Sequence, residues 1–446
     1  MPVTPEIENE ALELFQQLLR CDTTNPPGHE RACAEVLAES LRQDGYDPKI
    51  LEAQPGRSNL VVRRKGDGSL PPLLLTGHLD VVPADTAAWK HPPFGAVIDD
   101  GWLYGRGAVD MKNHVAASAM MLKLLAREGV TLKRDVIFAA VADEEAGCRY
   151  GADWLVAEHP DEVRAEYALG EIGGFTLPVG NKRLYPIQIA HRGVAWLQMT
   201  ATGTPGHGSM PRKDSSVQKL ARAIMRIGNK PLPVHAIEPT KRMLQSFGEA
   251  KGFPATVVLS LLQKPAFTDY VLENAITDPQ LQRTFNAVLR NTATPTVVRA
   301  GEATNVIPAT ACCQLDGRLL PGQKTADLVR ELMEVVDDPD IRFDVVRELD
   351  PVEFRTETPL YETLAQAVKA MDPEGIAMPY VMPGFTDASA FAKLGTVFYG
   401  FAPIRFPDEP KVAFSELYHA HDERIPVDGF KKGLHALYAA VSAFCG

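Results

Sequence analysis

Several features that mark other classes of protein are absent from this sequence of 446 residues. It has only six cysteines, at positions 21, 33, 148, 312, 313 and 445, and none of them forms a Cys-x-x-Cys pair. This scatter argues against a disulfide framework and predicts reduced, mostly buried thiols in a cytosolic protein. Cys148 lies close to a pair of glutamates, but no base accompanies it in the sequence, which disfavours a catalytic thiol.

Targeting and membrane-spanning segments are also lacking. The N-terminus is polar and acidic, without the basic start and apolar stretch of a signal peptide. No apolar run approaches the length of about 18 residues that a transmembrane helix needs, and there are no repeats. The formal net charge is −11, which gives no attraction to nucleic-acid phosphates or anionic membranes. We therefore expect a cytoplasmic protein that binds neither nucleic acid nor membrane.

Length and hydrophobic pattern predict two domains of the α/β class. The chain is longer than a single hydrophobic core usually supports. Apolar runs such as Leu73–Leu75 and Val136–Ala142 do not alternate with polar residues, which indicates strands buried on both faces. Helical periodicity between these runs indicates a largely parallel sheet. This alternation of predicted strands and helices changes in the middle of the chain and later resumes. We therefore predict one domain formed by residues 1–186 and 351–446, with a second domain, residues 187–350, inserted into it.

Histidine and carboxylate side chains follow the ends of several predicted strands. The carboxyl ends of the strands in an open α/β sheet share one edge, where such sheets place their sites. Imidazole together with several carboxylates is the ligand set of a hydrolytic zinc site, and adjacent glutamates offer a ligand beside a base. The residues placed at this edge are His78 and Asp80, Asp110, the pair Glu144 and Glu145, and Glu171.

Each of these features has an ordinary structural explanation when it is taken alone. A His-x-Asp at the end of a strand is more often a hydrogen-bonded turn, Asp110 could cap a helix, and an acidic pair is usually solvated. His207 could be a plain loop residue, and His419 and His421 could be surface residues. Their joint order, His-x-Asp, Asp, Glu-Glu, Glu and a distant His-x-x-x-Glu, is improbable by chance. It indicates an amide hydrolase with two metal ions.

The chain resembles the M20 metallopeptidase family, which includes aminoacylase-1, glutamate carboxypeptidases and succinyl-diaminopimelate desuccinylase. The resemblance covers nearly the whole chain, and its motifs together are highly specific. It implies a zinc-peptidase-like catalytic domain with a mostly parallel central sheet, plus a smaller, ferredoxin-like lid domain that often dimerises. The motifs are TGHLDVVP (76–83), YGRGAVDMKN (104–113), ADEEAG (142–147), GEIGG (170–174), GTPGHGSMP (203–211), ATNVIPA (303–309), DGRLLPG (316–322), GFTDASAF (384–391) and HAHDERI (419–425).

The resemblance implies two zinc ions, with Co²⁺ or Mn²⁺ as alternatives. One ion is expected to be held by His78 and Glu171, and the other by Glu145 and His419. Asp110 is expected to bridge the two ions, and the family pattern predicts a cis peptide bond directly after it. His421 is the rival of His419, but the family motif spaces its ligand four residues before the glutamate, which favours His419.

The resemblance also implies roles for residues that hold no metal. Asp80 is expected to accept a hydrogen bond from His78 and fix its tautomer, and Glu144 is expected to be the general base. His207 is expected to stabilise the oxyanion from the partner subunit of a dimer. Expected contacts to the substrate come from Asn305, Arg318, Gly384 and Thr386, with a structural salt bridge as the alternative for Arg318.

These residues predict hydrolysis of the amide bond in an N-acyl amino acid or in a small peptide with a free carboxylate. The enzyme is expected to be a homodimer that forms through the lid domain. Aminoacylase and carboxypeptidase activities both stay open, because the same site cleaves both bonds. A desuccinylase, a ureidohydrolase and a phosphatase are alternatives. An inactive binding homologue is a further alternative, but it would lack ligands or base, and this chain has both.

Overall fold

A computed structural model of the chain describes residues 3–129, 131–409 and 412–446. The first two residues of the N-terminal stretch considered above lie outside these ranges. The chain divides into unit 1 and unit 2. The short segment Val381–Phe385, which the sequence placed with the first domain, belongs to unit 2. Unit 1 comprises Met1–Ile189, Phe354–Tyr380 and Thr386–Gly446, and unit 2 comprises Ala190–Glu353 and Val381–Phe385.

Helices and strands are numbered separately in chain order. The α-helices are α1 (Pro5–Arg20), α2 (Arg31–Arg42), α3 (Lys112–Glu128), α4 (Ala152–Glu158), α5 (Pro160–Val163), α6 (Ser216–Asn229), α7 (Glu238–Lys251), α8 (Ala255–Leu261), α9 (Pro265–Asn274), α10 (Pro279–Leu289), α11 (Thr325–Val336), α12 (Pro359–Met371), α13 (Ala388–Ala392) and α14 (Val427–Cys445). The strands are β1 (Lys49–Gln54), β2 (Arg57–Arg64), β3 (Leu73–His78), β4 (Val97–Asp99), β5 (Trp102–Tyr104), β6 (Val136–Val141), β7 (Tyr167–Gly170), β8 (Leu177–Val179), β9 (Lys182–His191), β10 (Gly193–Thr202), β11 (Gly206–His207), β12 (Thr292–Ala300), β13 (Val306–Ile307), β14 (Thr310–Leu319), β15 (Ile341–Leu349), β16 (Val352–Glu353), β17 (Gly375–Met382), β18 (Val397–Gly400) and β19 (Arg424–Pro426).

The larger sheet has a parallel centre and antiparallel sides. Its order is β1-β2-β6-β3-β7-β18-β9-β16, with β8 and β17 also paired to β9. Strand β3 runs parallel to both β6 and β7, and β18 runs parallel to β7. The pairs β1–β2, β2–β6 and β18–β9 are antiparallel. Strands β3, β6 and β7 are buried along their whole length, which explains apolar runs without alternation and confirms the predicted α/β class.

Helix α3 begins directly after the segment that carries Asp110 and Met111. Residues Lys112 to Leu125 of this helix are all buried. Helix α1 instead shows a single apolar stripe, as expected for a helix with one face in water. Phe15 of α1 packs against Phe430 of α14, with ring centroids 5.0 Å apart. Burial of α3 fixes the position of the carboxylate that precedes it.

Unit 2 contains a four-stranded antiparallel sheet in the order β12-β14-β10-β15. Helices α6 and α11 lie against this sheet and share its hydrophobic core, which includes Leu197, Met199, Leu315 and Leu328. The neighbouring Trp196 is exposed, so β10 alternates between a covered and an open face. Apolar and polar residues alternate along such a strand, which explains why the sequence pattern changes at the start of the inserted domain.

Four helices, α7 to α10, occupy most of residues 230–298, for which the sequence pattern predicted no function. Three of these helices carry a proline in their first turn: Pro239, Pro265 and Pro279. Proline is well tolerated there, because the first N–H groups of a helix have no partner within it. Prolines that look like breaks in the sequence therefore mark helix starts in this region.

Two expectations about the chain as a whole can be compared with the structure. All six cysteines are free, and four of them are buried, as their scatter predicted. Within the described ranges, no helix combines the length and the apolar character needed to cross a membrane.

Gly170 ends β7 and leaves no room for a side chain. A Cβ atom at this position would lie 2.2 Å from Cζ of Phe398, which is fully packed. We expect Gly170→Ala to lower the free energy of unfolding by about 1–3 kcal/mol, because the ring must shift within a dense core. Differential scanning calorimetry measures the change.

The matched control is Gly228→Ala in α6, where a Cβ atom would meet nothing within 4 Å. There the substitution is expected to stabilise the protein by about 0.4–1 kcal/mol, because alanine restricts the unfolded chain. Equal changes for the two variants would contradict the steric argument.

Candidate metal centre

Two groups of possible metal ligands share one carboxylate. The first consists of His78, Asp110 and Glu171, the second of Asp110, Glu145 and His419, and within each group the ligand atoms lie within 4.8 Å of one another. Nε2 of His78 lies 3.0 Å from Oδ1 of Asp110, and Nε2 of His419 lies 3.2 Å from Oδ2. The two oxygen atoms of Asp110 therefore face one histidine each, which is the arrangement of a bridging ligand.

The parallel centre of the sheet brings these side chains together. His78 is the last residue of β3, Glu171 follows β7, and Glu145 follows β6, so three adjacent strands end at one place. Asp110 lies just before α3, and His419 lies in the loop before β19. This loop places His419, not His421, within reach of Asp110 and Glu145. His421 is exposed.

The acidic and imidazole groups of the site shift one another's pKa values. Burial acts to lower the pKa of His78, but hydrogen bonds to Asp110 and Glu171 outweigh it and hold this pKa well above its usual value. Hydrogen bonds to Asp110 and Glu145 raise the pKa of His419 to about 10. Burial raises the pKa of Glu171 to about 8. Protons therefore compete with a metal ion for these ligands, and metal affinity should rise with pH.

Asp80 makes contacts that differ from those expected. Nδ1 of His78 lies 2.9 Å from the backbone oxygen of Asp80, whereas the carboxylate oxygen Oδ1 is 3.6 Å away. The backbone N–H groups of Glu144 and Glu145 donate to the carboxylate, each at 3.1 Å. Asn25 Nδ2 also donates to it at 2.8 Å. The carbonyl thus orients His78, and the carboxylate supports the loop that carries the two glutamates.

Glu423 organises the segment before Asp110. Its buried carboxylate accepts hydrogen bonds from the backbone N–H groups of Gly107, Val109 and Asp110 at 2.7–3.1 Å, and from Arg106 at 2.7 Å. Sequence reasoning used Glu423 only as a spacing marker for His419. The peptide bond Asp110–Met111 is cis, as predicted.

Comparison with known proteins decides the family. A model described as peptidase family M20/M25/M40 matches residues 74–443. The chain belongs to this family. Human N-fatty-acyl-amino acid synthase/hydrolase PM20D1 is 30% identical over 396 residues, which cover 86% of this chain and 76% of the relative. Mouse aminoacylase-1 is 27% identical over 449 residues, which cover 98% of this chain and 96% of the relative.

Solved structures share the fold of this M20 protein. The M20 family metallo-carboxypeptidase Sso-CP2 from Sulfolobus solfataricus superposes with a TM-score of 0.71 at 17% identity. The match covers 97% of this chain and 98% of that chain. Family membership makes the chain an enzyme, a hydrolase of the aminoacylase and carboxypeptidase type, as the motifs predicted.

Glu144 lies beside the ligand groups of the M20 enzyme without belonging to either. Its side chain is buried, and burial together with the charge of Glu171 raises its pKa well above the usual value. Asp387 is a further buried carboxyl group that acts on both glutamates, and burial raises its pKa to about 7. Its motif, GFTDASAF, was noted in the sequence, but Asp387 itself was missed.

A second buried network was not visible in the sequence. Arg57 donates two hydrogen bonds from Nε and Nη2 to Glu30 and one from Nη2 to Asp143 at 2.8 Å. Asn25 Nδ2 donates to Asp143 as well as to Asp80. These partners are up to 118 positions apart, so no local pattern connects them. The network supports the loop of Glu144 through the neighbouring Asp143.

The predicted substrate-binding residues of unit 2 lie in two separate regions of that unit. His207 and Asn305 meet where β11 pairs with β13, and the Gly208 N–H donates to the Asn305 carbonyl oxygen. Both residues are exposed. Arg318 forms the ion pair with Asp316 that the structural alternative foresaw, at 2.8 Å. The carbonyl oxygen of Gly384 accepts a hydrogen bond from the N–H of Arg192.

Arg192 is a buried cation that the sequence analysis did not single out. It donates to Thr292 Oγ1 at 2.8 Å and to the carbonyl oxygen of Arg318 at 3.0 Å. Burial, with the charge of Arg318, lowers its pKa to about 9. Within the described residues, Nε of Arg192 and Nη1 of Arg318 are buried without a hydrogen-bond partner. In unit 1, Thr386 is fully buried and accepts a hydrogen bond from Gln188.

Proposed function

We propose that this M20 hydrolase cleaves the amide bond of N-acyl amino acids, with two zinc ions in the centre and Glu144 as the general base. The observation that carries the proposal is the shared carboxylate of Asp110, which faces one histidine with each oxygen. A buried carboxyl group beside two ligand groups is the combination that two-metal amide hydrolysis requires.

The residues present suit two metal ions. Each group offers one imidazole and two carboxylates, a donor set that zinc accepts. Within the described part of the chain, Oε1 of Glu171 is buried and has no hydrogen-bond partner. A cluster of buried carboxylates also requires cations to offset its charge. We assign His78, Asp110 and Glu171 to one ion and Asp110, Glu145 and His419 to the other.

When bound, two zinc ions polarise the scissile carbonyl and lower the pKa of a water molecule. The carboxylate of Glu144 takes a proton from the attacking water and delivers it to the nitrogen of the leaving amine. Its burial supports this role, because a raised pKa lets the group hold the proton between the two transfers. Asp80 keeps Glu144 in place through the backbone N–H of that residue.

Two features support a substrate with a free carboxylate. Arg192 and Arg318 carry buried N–H groups without partners in the described structure, and guanidinium groups pair well with carboxylates. The names of the relatives favour acyl amino acids, because PM20D1 is named as an N-fatty-acyl-amino acid hydrolase and the second relative as an aminoacylase. Small peptides are the second candidate, supported by the metallo-carboxypeptidase of like fold.

The test is a substrate screen with the zinc-loaded protein. N-acetyl and long-chain N-acyl amino acids are compared with their amides, which lack the carboxylate, and with dipeptides and phosphate esters. We expect turnover of the acyl amino acids and little turnover of the amides. Faster hydrolysis of dipeptides would select the peptidase alternative. Hydrolysis of phosphate esters alone would contradict amide hydrolysis.

We further propose that the active form is a homodimer in which each subunit contributes its His207 to the active site of the partner subunit. A mixture of His207→Ala and Glu144→Gln subunits is then expected to regain activity, because one of the two sites in each mixed dimer is complete. Random pairing gives about a quarter of the wild-type activity. Activity is measured after the subunits have been allowed to exchange, with each variant alone as the control.

The state of association is measured on the same samples by sedimentation. A fully active monomer would contradict a role for His207 in the partner subunit's active site. So would a mixture that forms mixed dimers without recovering activity.

A further inference from the structure

Two of the free cysteines face each other where α1 ends and α2 begins. Cys21 directly follows α1 and is half-buried, and Cys33 is a fully buried residue near the start of α2. Sγ of Cys21 lies 3.5 Å from the Gln17 carbonyl oxygen, and Sγ of Cys33 lies 3.6 Å from the Leu18 carbonyl oxygen. Both thiols therefore lie against the last turn of α1, and each shifts the pKa of the other. This arrangement places the two sulfur atoms near each other.

A buried cation lies beside this pair. Lys112 is fully buried, and its Nζ donates to the carbonyl oxygens of Leu18 at 3.0 Å and Cys21 at 2.8 Å. Contact with the Cys33 thiol lowers the pKa of Cys21 to about 7, and the charge of Lys112 acts in the same direction. The same contact and burial raise the pKa of Cys33. These shifts favour Cys21 as the attacking sulfur and Cys33 as the thiol that reacts second.

The segment between the two cysteines is bonded to the loops of the metal centre. Thr23 Oγ1 donates to the Leu79 carbonyl oxygen at 2.6 Å, and the Asn25 N–H donates to the Val81 carbonyl oxygen. Asn25 Nδ2 donates to the carboxylate of Asp80, which in turn holds the loop of Glu144. A change at either end of this segment is therefore transmitted to the support of the general base.

We propose that Cys21 and Cys33 form a reversible redox pair, and that their disulfide lowers the activity of the metal centre. The Cys21 thiolate attacks hydrogen peroxide, forming a sulfenic acid and releasing hydroxide, which is protonated to water. The Cys33 thiol then attacks the sulfenic sulfur, and its proton leaves with the hydroxyl group as a second water. Two thiols are oxidised to one disulfide, and one peroxide is reduced to two waters.

Bond formation draws the ends of the segment together, because bonded sulfur atoms lie closer than thiols in contact. The backbone of Asn25 must follow, and displacement of catalytic groups by fractions of an ångström slows hydrolysis. We expect a loss of activity of about tenfold. This part of the inference rests on the proposed function, whereas formation of the disulfide does not.

Peptide mapping tests the pair directly. Trypsin cleaves after Arg20, Arg31 and Arg42, so Cys21 and Cys33 fall in the adjacent peptides 21–31 and 32–42. The reduced protein is treated with equimolar hydrogen peroxide, blocked with iodoacetamide and digested. We expect one species whose mass is the sum of both peptides less two hydrogen atoms, and its loss after dithiothreitol.

Two variants serve as controls. Cys21→Ser should give no linked peptide and should keep its activity in peroxide. Cys312→Ser, which removes another half-buried cysteine, should behave as the wild type. Oxidation of Cys21 to sulfinic acid without the linked peptide would overturn the redox pair. A linked peptide with unchanged activity, or an equal loss of activity in Cys21→Ser, would overturn the coupling to the metal centre.

Discussion

Replacing Glu144 by glutamine is expected to lower kcat by about 10²–10⁴-fold while both metal ions stay bound. Glu144 belongs to neither ligand group, so its loss leaves the donor sets complete. Glutamine keeps the shape of the side chain and the backbone N–H that binds Asp80. What the variant loses is a carboxylate able to accept and return a proton. Steady-state kinetics and metal analysis of the same preparation measure both quantities.

Glu158→Gln is the matched control, because Glu158 is an exposed glutamate at the end of α4. It should keep both its activity and its metal content. If Glu144→Gln loses metal in proportion to activity, then Glu144 is a ligand and the assignment of the base is wrong.

Replacing His419 by alanine is expected to remove one metal ion of the two and nearly all activity. Its Nε2 lies 3.2 Å from carboxylate oxygens of both Asp110 and Glu145. Among the described residues, His419 supplies the imidazole of that group. Loss of a residue that only hydrogen-bonds to a metal ligand lowers metal affinity by about 10–100-fold. Loss of His419 itself should lower the affinity for this ion by more than that. Metal titration followed by calorimetry resolves the two ions.

His421→Ala provides the comparison two positions along the same loop. His421 is exposed and belongs to neither ligand group of the described residues, so this variant should bind both ions. Loss of one ion from His421→Ala with retention of both by His419→Ala would reverse the assignment. The comparison removes an imidazole in either case, which controls for the change in charge.

The sequence predicted that three of the candidate ligands, His78, Glu145 and Glu171, would lie together because each one follows its own strand. Buried runs such as Leu73–Leu75 mark the parallel centre, and the geometry of such sheets brings the residues after them together. The partners of Asp80 were not predictable in the same way. They depend on which N–H groups approach its carboxylate in three dimensions, and one of them belongs to Asn25, 55 positions away.

The helices of unit 2 show a different limit of structure prediction from the sequence. The apolar stripes of α6 and α11, which cover a sheet, are the kind of local pattern that a sequence shows directly. The local pattern did not locate α7 to α10, because prolines in the first turns of α7, α9 and α10 resemble breaks. Arg192 was missed for a related reason: an isolated arginine in a strand carries no signal of burial. The burial of Arg192 appears only when the packing is known.

The order of the ligands along the chain has a consequence for biosynthesis. A ribosome reaches His419 and Glu423 only after it has translated all of unit 2, since both residues lie close to the C-terminus. Until then, a nascent chain carries only the group of His78, Asp110 and Glu171, and the backbone around Asp110 lacks the carboxylate that organises it. Domains generally fold as they emerge, but the group of Asp110, Glu145 and His419 is complete only after position 419 has been translated. A premature stop codon anywhere before position 419 therefore yields a product whose second ligand group lacks its imidazole.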